Sequence, residues 1–253
     1  MTRARGIITT RLVLIAGAIG LVELLCRFGI IKPLTMIAPS QMVFELARMI
    51  ASGELFAPAA YTFMEVGTAF AVSVVAGGAL GALVHTQPRL RRALDPLLAS
   101  WYAVPFFVFY PLLIAIFGLN RWPLVAIGFV FGTAAMVIAT LNGLDRVPRV
   151  MRKLARVHRM GRLEEIARIT MPAAVPHLFA GFKLALAYAF IGVIAGEFIL
   201  SGSGLGHAIA YAYDSFDNQT MYALMLFVVV LAITLNAALH LGEQRLMRKR
   251  RRA

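Results

Sequence analysis

Residues 122–144 read WPLVAIGFVFGTAAMVIATLNGL, an uncharged run between Arg121 and Asp145. A helix needs about 20 apolar residues to cross the hydrocarbon core of a bilayer, so this stretch is long enough on its own. Three more runs pass the same test: residues 66–84 between Glu65 and His85, residues 96–120 between Asp95 and Arg121, and residues 218–242 before Glu243. Two others carry charges near their ends. Residues 7–26 hold Arg11 and Glu23, and Glu23 stands at the i, i+4 spacing from Arg27 that permits an ion pair. Residues 178–200 hold Lys183 and Glu197, both near enough to the ends to reach the interfaces by snorkelling. The pattern predicts an all-α, polytopic membrane protein of about six helices.

Composition points the same way, with 60% hydrophobic and 15% charged residues in 253. The apolar residues lie in long runs rather than amphipathic stripes, so residues 1–253 are read as one membrane domain. Within it, residues 1–60 hold the first helix and an outer amphipathic segment, residues 61–241 the core, and residues 242–253 a basic cytoplasmic tail. A net charge of +13 would suit a nucleic-acid binder, but the Lys and Arg residues cluster between apolar runs without aromatic interleaving. They read as a topology signal. Arg3, Arg5 and Arg11 precede an apolar stretch as in a signal peptide, yet Glu23 and Arg27 stand where small cleavage-site residues belong, so this segment is expected to stay as a first helix. Cys26, the one cysteine, excludes an intrachain disulfide, and Leu24 and Leu25 before it do not fit a lipidation site.

Basic residues in short loops mark the cytoplasmic side. With both termini cytoplasmic, six crossings place Arg89, Arg91 and Arg92, the segment 146–168 and the tail 245–252 inside, leaving Arg27, Lys32, Arg48 and Arg121 outside beside Glu45, Glu54, Asp214 and Asp217. Charge and crossing number therefore agree on a multi-pass topology with both termini in the cytoplasm.

Two connections have structure of their own. Pro39-Ser40 opens a helix, Gly53 ends it, and Met42, Val43, Leu46, Met49 and Ile50 form its apolar stripe, which predicts a short amphipathic helix on the outer side. Residues 145–177 are too long for a turn and too polar to cross, with Leu154, Val157, Met160, Leu163 and Ile166 repeating every three residues. This spacing predicts a cytoplasmic helix pair with an apolar docking face. Pro172 and Pro176 are then expected to break the chain before it re-enters the membrane.

Among single residues, Glu197 is a carboxylate in an apolar helix, and two roles stay open for it: a structural or interfacial group, or part of a gate or translocation path. Ser201-Gly-Ser-Gly-Leu-Gly206 lacks the strand and cytoplasmic helix of a phosphate-binding loop; Ser201, Gly204 and Gly206 mark a chain reversal or a feature of an outer gate. Gly77 and Gly81 have the spacing of close helix packing. The histidines, His85, His158, His177, His207 and His240, are scattered without metal-ligand spacing, and no lysine follows a glycine, so no P-loop occurs in the chain. ATP and Mg would have to be bound by another subunit, and no cofactor, metal or catalytic residue is assigned here.

Several motifs resemble the binding-protein-dependent permeases of bacterial ABC importers, in the nitrate, sulfonate and taurine branch. They are Ala38-Pro-Ser, residues 67–81, Arg92-Ala-Leu-Asp-Pro, Ala103-Val-Pro, Ile169-Thr-Met-Pro-Ala-Ala-Val-Pro, Gly181-Phe-Lys-Leu-Ala-Leu-Ala-Tyr, Gly196-Glu-Phe-Ile and the Ser201–Gly206 loop. The resemblance implies a type I importer permease bundle with a cytoplasmic coupling helix inserted into an ATPase subunit. Its coupling motif ends in I-x-L-P, which Ile169, Met171 and Pro172 match. The same alignment puts Lys153, Leu154 and Ala155 on its E-A-A triplet and Arg159 on its glycine, with Gly161 two residues late. The expected docking surface is Arg156, Val157, His158, Arg159, Met160, Gly161, Arg162, Leu163, Glu164 and Glu165. Implied partners are cytoplasmic ABC ATPases, a periplasmic or lipid-anchored substrate-binding protein, and a second copy of the chain or a similar permease. The implied solute is a small anion of the nitrate, sulfonate or taurine type, or a thiamine-precursor-like heterocycle. An ion-coupled secondary transporter and a non-transporting membrane anchor are the alternatives.

Overall fold

A computed structural model describes residues 2–250. Helix α1 (Thr2–Arg27) leads to α2 (Pro39–Ser52), which starts and stops where the sequence predicts, with Gly53 closing it at φ 84°. The expected Glu23–Arg27 pair forms at 2.6 Å, and the same carboxylate accepts the Ser40 N–H and hydroxyl at 3.0 and 2.7 Å. It thereby fixes the first turn of α2 to the end of α1. Helix α2 buries Met42, Glu45 and Met49, whereas Val43 and Ile50 remain exposed, so only one side of the expected stripe is used.

The core is a trio of helices with small residues at their crossings. Helix α3 (Phe56–Thr86) meets α6 (Trp122–Asp145) through Ala69 and Gly128, Ser73 and Gly132, Gly77 and Met136, and Gly81 and Thr140. Residue numbers rise together along the two helices, which are therefore parallel over about 18 Å at 1.5 Å per residue. The chain between them must return the full distance. It does so in pieces: α4 (Pro88–Ser100), 3₁₀ turns at Trp101–Ala103 and Phe106–Phe109, and α5 (Tyr110–Phe117). This corrects the expected continuous helix over residues 96–120. Pro105 has no amide donor and holds Val104 extended (φ −81°, ψ 121°), so the third crossing is split at its middle. The long apolar helices among the described residues are thus five, Thr9–Arg27, Phe56–Thr86, Trp122–Asp145, Ile166–Ile199 and Asn218–Arg245, and the broken segment supplies the remaining crossing.

Helix α7 (Arg149–Val157) and the single turn α8 (Arg162–Glu165) follow, then a π turn at Ile166–Thr170 and α9 (Met171–Leu200). The break expected at Pro172 and Pro176 does not occur. Pro172 follows directly on the π turn and cannot donate, yet the helix continues through it. The Met171 N–H reaches five residues back to the Ile166 carbonyl, widening the turn ahead of the prolines. Pro176 costs one rung without ending the helix. From Arg162 to Leu200 the chain is one helical rod, antiparallel to α6, with Ala185 beside Gly132 and Ala174 beside Gly143. Helices α10 (Leu205–Asp214) and α11 (Asn218–Arg250) complete the chain.

The bundle has a basic end and a far end. At the basic end Arg91 grips Asp145 with two hydrogen bonds of 2.7 and 2.5 Å. Lys183, expected near the interface, pairs with Glu243 at 2.6 Å, joining α9 to α11. At the far end lie the starts of α3 and α6, the end of α9, and α10.

Candidate functional site

The far end holds a buried polar node. Glu197, in the last turn of α9, is 0% exposed. A carboxylate there faces the negative end of its own helix dipole and needs outside donors. Two elements supply them. Thr62 Oγ1 of α3 donates at 2.7 Å and the Gly206 N–H of α10 donates at 2.8 Å. Glu65, one turn along α3 from Thr62, is buried beside them. The Thr62 oxygen in turn accepts the Leu205 N–H at 2.9 Å. The carboxylate thus caps α10 and ties it to α3 and α9.

The glycines of the Ser201–Gly206 loop follow from this contact rather than from chain reversal alone. Gly204 has φ +95°, and a Cβ there would stand 2.2 Å from Glu197 Oε1. At Gly206 a Cβ would stand 2.3 Å from the Ile194 carbonyl oxygen. Ser201 closes the loop on itself, its hydroxyl donating to the Ser203 carbonyl at 2.9 Å and accepting the Ser203 N–H at 3.2 Å. The structure therefore brings Glu197, Gly204 and Gly206 together and leaves Ser201 at the rim.

Beside the node opens a cavity of about 360 Å³ lined by Glu65, Tyr110, Asn120, Arg121, Ser201 and Ser203. The sequence reading does not single out Thr62, Glu65 or Arg121: Glu65 only bounds an apolar run, and Arg121 bounds two runs and counts among the outer charges. A polar pair at i, i+3 opening an apolar helix is the signal that Thr62 and Glu65 carried.

The basic end is built differently. Val147, Ala155 and Ile169 are buried together, with Met160 and Ala173 against them. Val150, Leu154 and Val157, at i, i+4 and i+7 on α7, are instead 75%, 48% and 78% exposed. The three-residue repeat from Leu154 to Ile166 is thus not one face, because the chain turns between α7 and α8 and takes Met160 inward. Arg159 makes that turn in the left-handed region at φ 51°. It is the position that the motif alignment assigns to glycine, which this conformation favours. Of the expected docking residues, Val157, His158, Arg159 and Gly161 are exposed and Glu164 and Glu165 half-buried. The side chains of Arg156, Arg162 and Leu163 lie outside the described residues. In the motif end, Ile169 is buried, Met171 exposed, and Pro172 opens α9.

Residues 69–252 match the family described as binding-protein-dependent transport system inner membrane component, and the chain belongs to it. Its relatives include the nitrate import permease protein NrtB of Leptolyngbya laminosa, 28% identical over 72% of this chain and 66% of that protein. The putative aliphatic sulfonates transport permease protein SsuC of Bacillus subtilis (strain 168) is 28% identical over 94% of this chain and 87% of its own length. The bicarbonate transport system permease protein CmpB of Synechococcus elongatus is 27% identical over 59% of this chain and 54% of its own. The chain thus spans just under two thirds of the nitrate permease and about half of the bicarbonate one. In fold it is similar to a chain of the inward-facing MetNI methionine ABC transporter, at a TM-score of 0.61 and 18% identity over 82% of this chain and 97% of that one.

Proposed function

We propose that the chain is the membrane permease subunit of an ATP-driven importer of a small anion, working as a pair with a second copy or a similar chain. The observation that carries this reading is the rod from Arg162 to Leu200. One end adjoins an exposed apolar face on α7 and the other is locked by Glu197 to α3 and α10. An exposed Val150–Leu154–Val157 stripe beside arginines suits a protein partner, and a cytoplasmic ATPase that binds ATP and Mg is the partner this family reading supplies. In this orientation the basic end and both termini are cytoplasmic, the far end faces an external binding protein, and the membrane is the bacterial inner membrane.

Function follows as a population shift. Closure of the ATPase pair on ATP moves α7 and α8; the continuous helix carries the displacement to Glu197, and the far end exchanges inward-open for outward-open packing. Affinity purification in mild detergent tests the reading: an ATPase and a secreted binding protein are expected with the chain, and the binding protein's ligand names the solute. A chain recovered alone that transports down an ion gradient would overturn it, as would a chain that anchors a cytoplasmic complex without moving any solute.

A further inference from the structure

One outward face of the long helices does not suit lipid. On α1 and α11 the exposed side chains include Leu14, Ile15, Ile19, Val229 and Ile233, which hydrocarbon solvates. Between α6 and α9 runs a groove of about 180 Å³ in which Asn142, His177 and Tyr188 stand among small and aliphatic residues. Asn142 is exposed, and His177 and Tyr188 are half-buried. Among the described residues neither the Asn142 amide nor the His177 imidazole has a hydrogen-bond partner. An unpaired amide and imidazole set against hydrocarbon are costly, and polar groups on spanning helices face water or the bundle interior. The groove is therefore a wetted wall. It begins near the basic end, where Asn142 stands one turn before Asp145 and His177 packs on Gly143. From His177 to Tyr188 it climbs 11 residues of α9, about 16 Å, and stops short of Glu197. Its floor is low because a Cβ on Gly181 would stand 2.5 Å from that of Ala139.

The chemistry of the lining is one-sided. Asn142 offers an amide NH₂, Tyr188 a phenol O–H and neutral His177 one N–H, and no carboxylate lines the groove. At its inner mouth an adjoining cavity shares Ile138 and Asn142 and adds Arg91 and Asp95. There Arg91 holds Asp145 by two hydrogen bonds and stands 3.9 Å from Asp95, so both carboxylates face a cation.

We infer that this groove is a wall of the solute path through the inner half of the membrane, along which a small oxyanion passes from Tyr188 to His177 and Asn142. Oxyanion oxygens accept hydrogen bonds from neutral N–H and O–H groups. With no fixed countercharge on the wall, the contact stays weak enough for the solute to leave. The inference rests on the permease reading and adds to it the face of the chain that meets the solute. Ala180 and Leu184 at the rim are exposed, so the groove is open on the side that the second chain of the pair closes.

Methanethiosulfonate reagents test this, because the ethylsulfonate form is itself a small sulfonate and the ethyltrimethylammonium form is its cationic counterpart. The background is Cys26→Ser, which removes the one cysteine of the chain. In the full chain in phosphatidylcholine nanodiscs, Leu184→Cys at the rim should react with the sulfonate reagent about tenfold or more faster than Ile19→Cys on the exposed side of α1, since a thiol in hydrocarbon does not ionise. With each rate divided by that of free cysteine, the sulfonate reagent should lead the ammonium one. His177→Leu with Asn142→Leu should remove that lead and leave the thiol reactive. Ethanesulfonate, and not ethylammonium, should slow the labelling of Leu184→Cys, which reads the same preference with the groove otherwise unaltered. Ala180→Cys repeats every arm if Leu184→Cys fails to fold. Labelling no faster than at Ile19→Cys overturns the path, because this face then meets lipid or a dry contact. Equal rates with the two reagents, or a lead that survives the double change, overturn the oxyanion preference. Failure here with the ATPase still co-purifying leaves the permease reading intact. A sulfonate-selective groove in a chain that recruits no ATPase does the reverse.

Discussion

At one end of the α8–α9 rod, Glu197 is fully buried and takes donors from α3 and α10. At the other, α7 turns Val150, Leu154 and Val157 outward with 75%, 48% and 78% of their surfaces exposed. The first region is closed on itself, with the carboxylate's partners supplied within the chain. The second buries Val147, Ala155 and Ile169 and leaves an apolar stripe that the chain does not cover. The contrast sorts the two roles. A lock has to be complete within one subunit, whereas a contact for a second protein has to be left open. Substitutions at the lock should therefore register in stability, and substitutions at the stripe in partnership.

The largest loss of stability is expected for Gly206→Ala. Its Cβ would meet the Ile194 carbonyl oxygen at 2.3 Å and Glu197 Cβ at 2.7 Å, and backbone cannot yield as a side-chain tip can. A cost of about 3 kcal/mol or more follows from overpacking at a fixed site, read as a fall in the thermal midpoint of the detergent-solubilised chain. An unchanged midpoint would mean that α10 is free to shift and that the node is no lock.

Glu197→Ala comes next. It strands the buried Gly206 N–H without an acceptor and leaves the Thr62 hydroxyl only the Pro58 carbonyl at 3.3 Å, for roughly 2–4 kcal/mol. Thr62→Val on the Glu197→Ala background should cost less than Thr62→Val alone, because the carboxylate that needed the hydroxyl is already gone. Additive losses in that double-mutant cycle would show that the two residues act separately.

A smaller effect of opposite sign is expected at the basic end. Arg159 holds φ 51°, a region that costs an L residue about 1–2 kcal/mol and glycine almost nothing. Arg159→Gly also gives the unfolded chain more freedom, about 0.4–1 kcal/mol, so the net gain is about 0.5 kcal/mol. A lower midpoint would show that the guanidinium, not the backbone, sets the worth of this position.

These positions also show how far the fold and the site could be read from sequence. Hydropathy located the long helices because burial in lipid leaves a local signal, and Pro39 with Gly53 bounded α2 because caps are local too. The split third crossing has a local signal as well, since Pro105 stands in the middle of the run over residues 96–120. Pro172 and Pro176 misled in the other direction, because a π turn, invisible in spacing, absorbs what a proline usually breaks. The node was half legible. Glu197 was conspicuous as a charge in an apolar helix, but Thr62 lies 135 residues away in sequence, and nothing local assigns Gly204 to a carboxylate rather than to a turn. The resemblance to glycine at position 159 became physical only with the left-handed backbone of Arg159.

The smallest effect on stability and the sharpest test of the comparison belong to the α7 stripe. Leu154→Asp and Val157→Asp place a charge where the side chain already meets solvent, so the isolated chain should unfold within about 0.5 kcal/mol of the parent. The same pair of changes should remove the co-purifying ATPase, since an apolar contact that must bury a carboxylate loses both its area and its solvation. Ala155→Asp is the control on the same helix. Ala155 is 1% exposed against Val147 and Ile169, so this change should unfold the segment as well as release the partner. If the exposed changes destabilise the isolated chain as much as the buried one, the stripe packs within the subunit and the distinction between lock and contact fails. If they spare both stability and the ATPase, the docking surface lies elsewhere among residues 145–177.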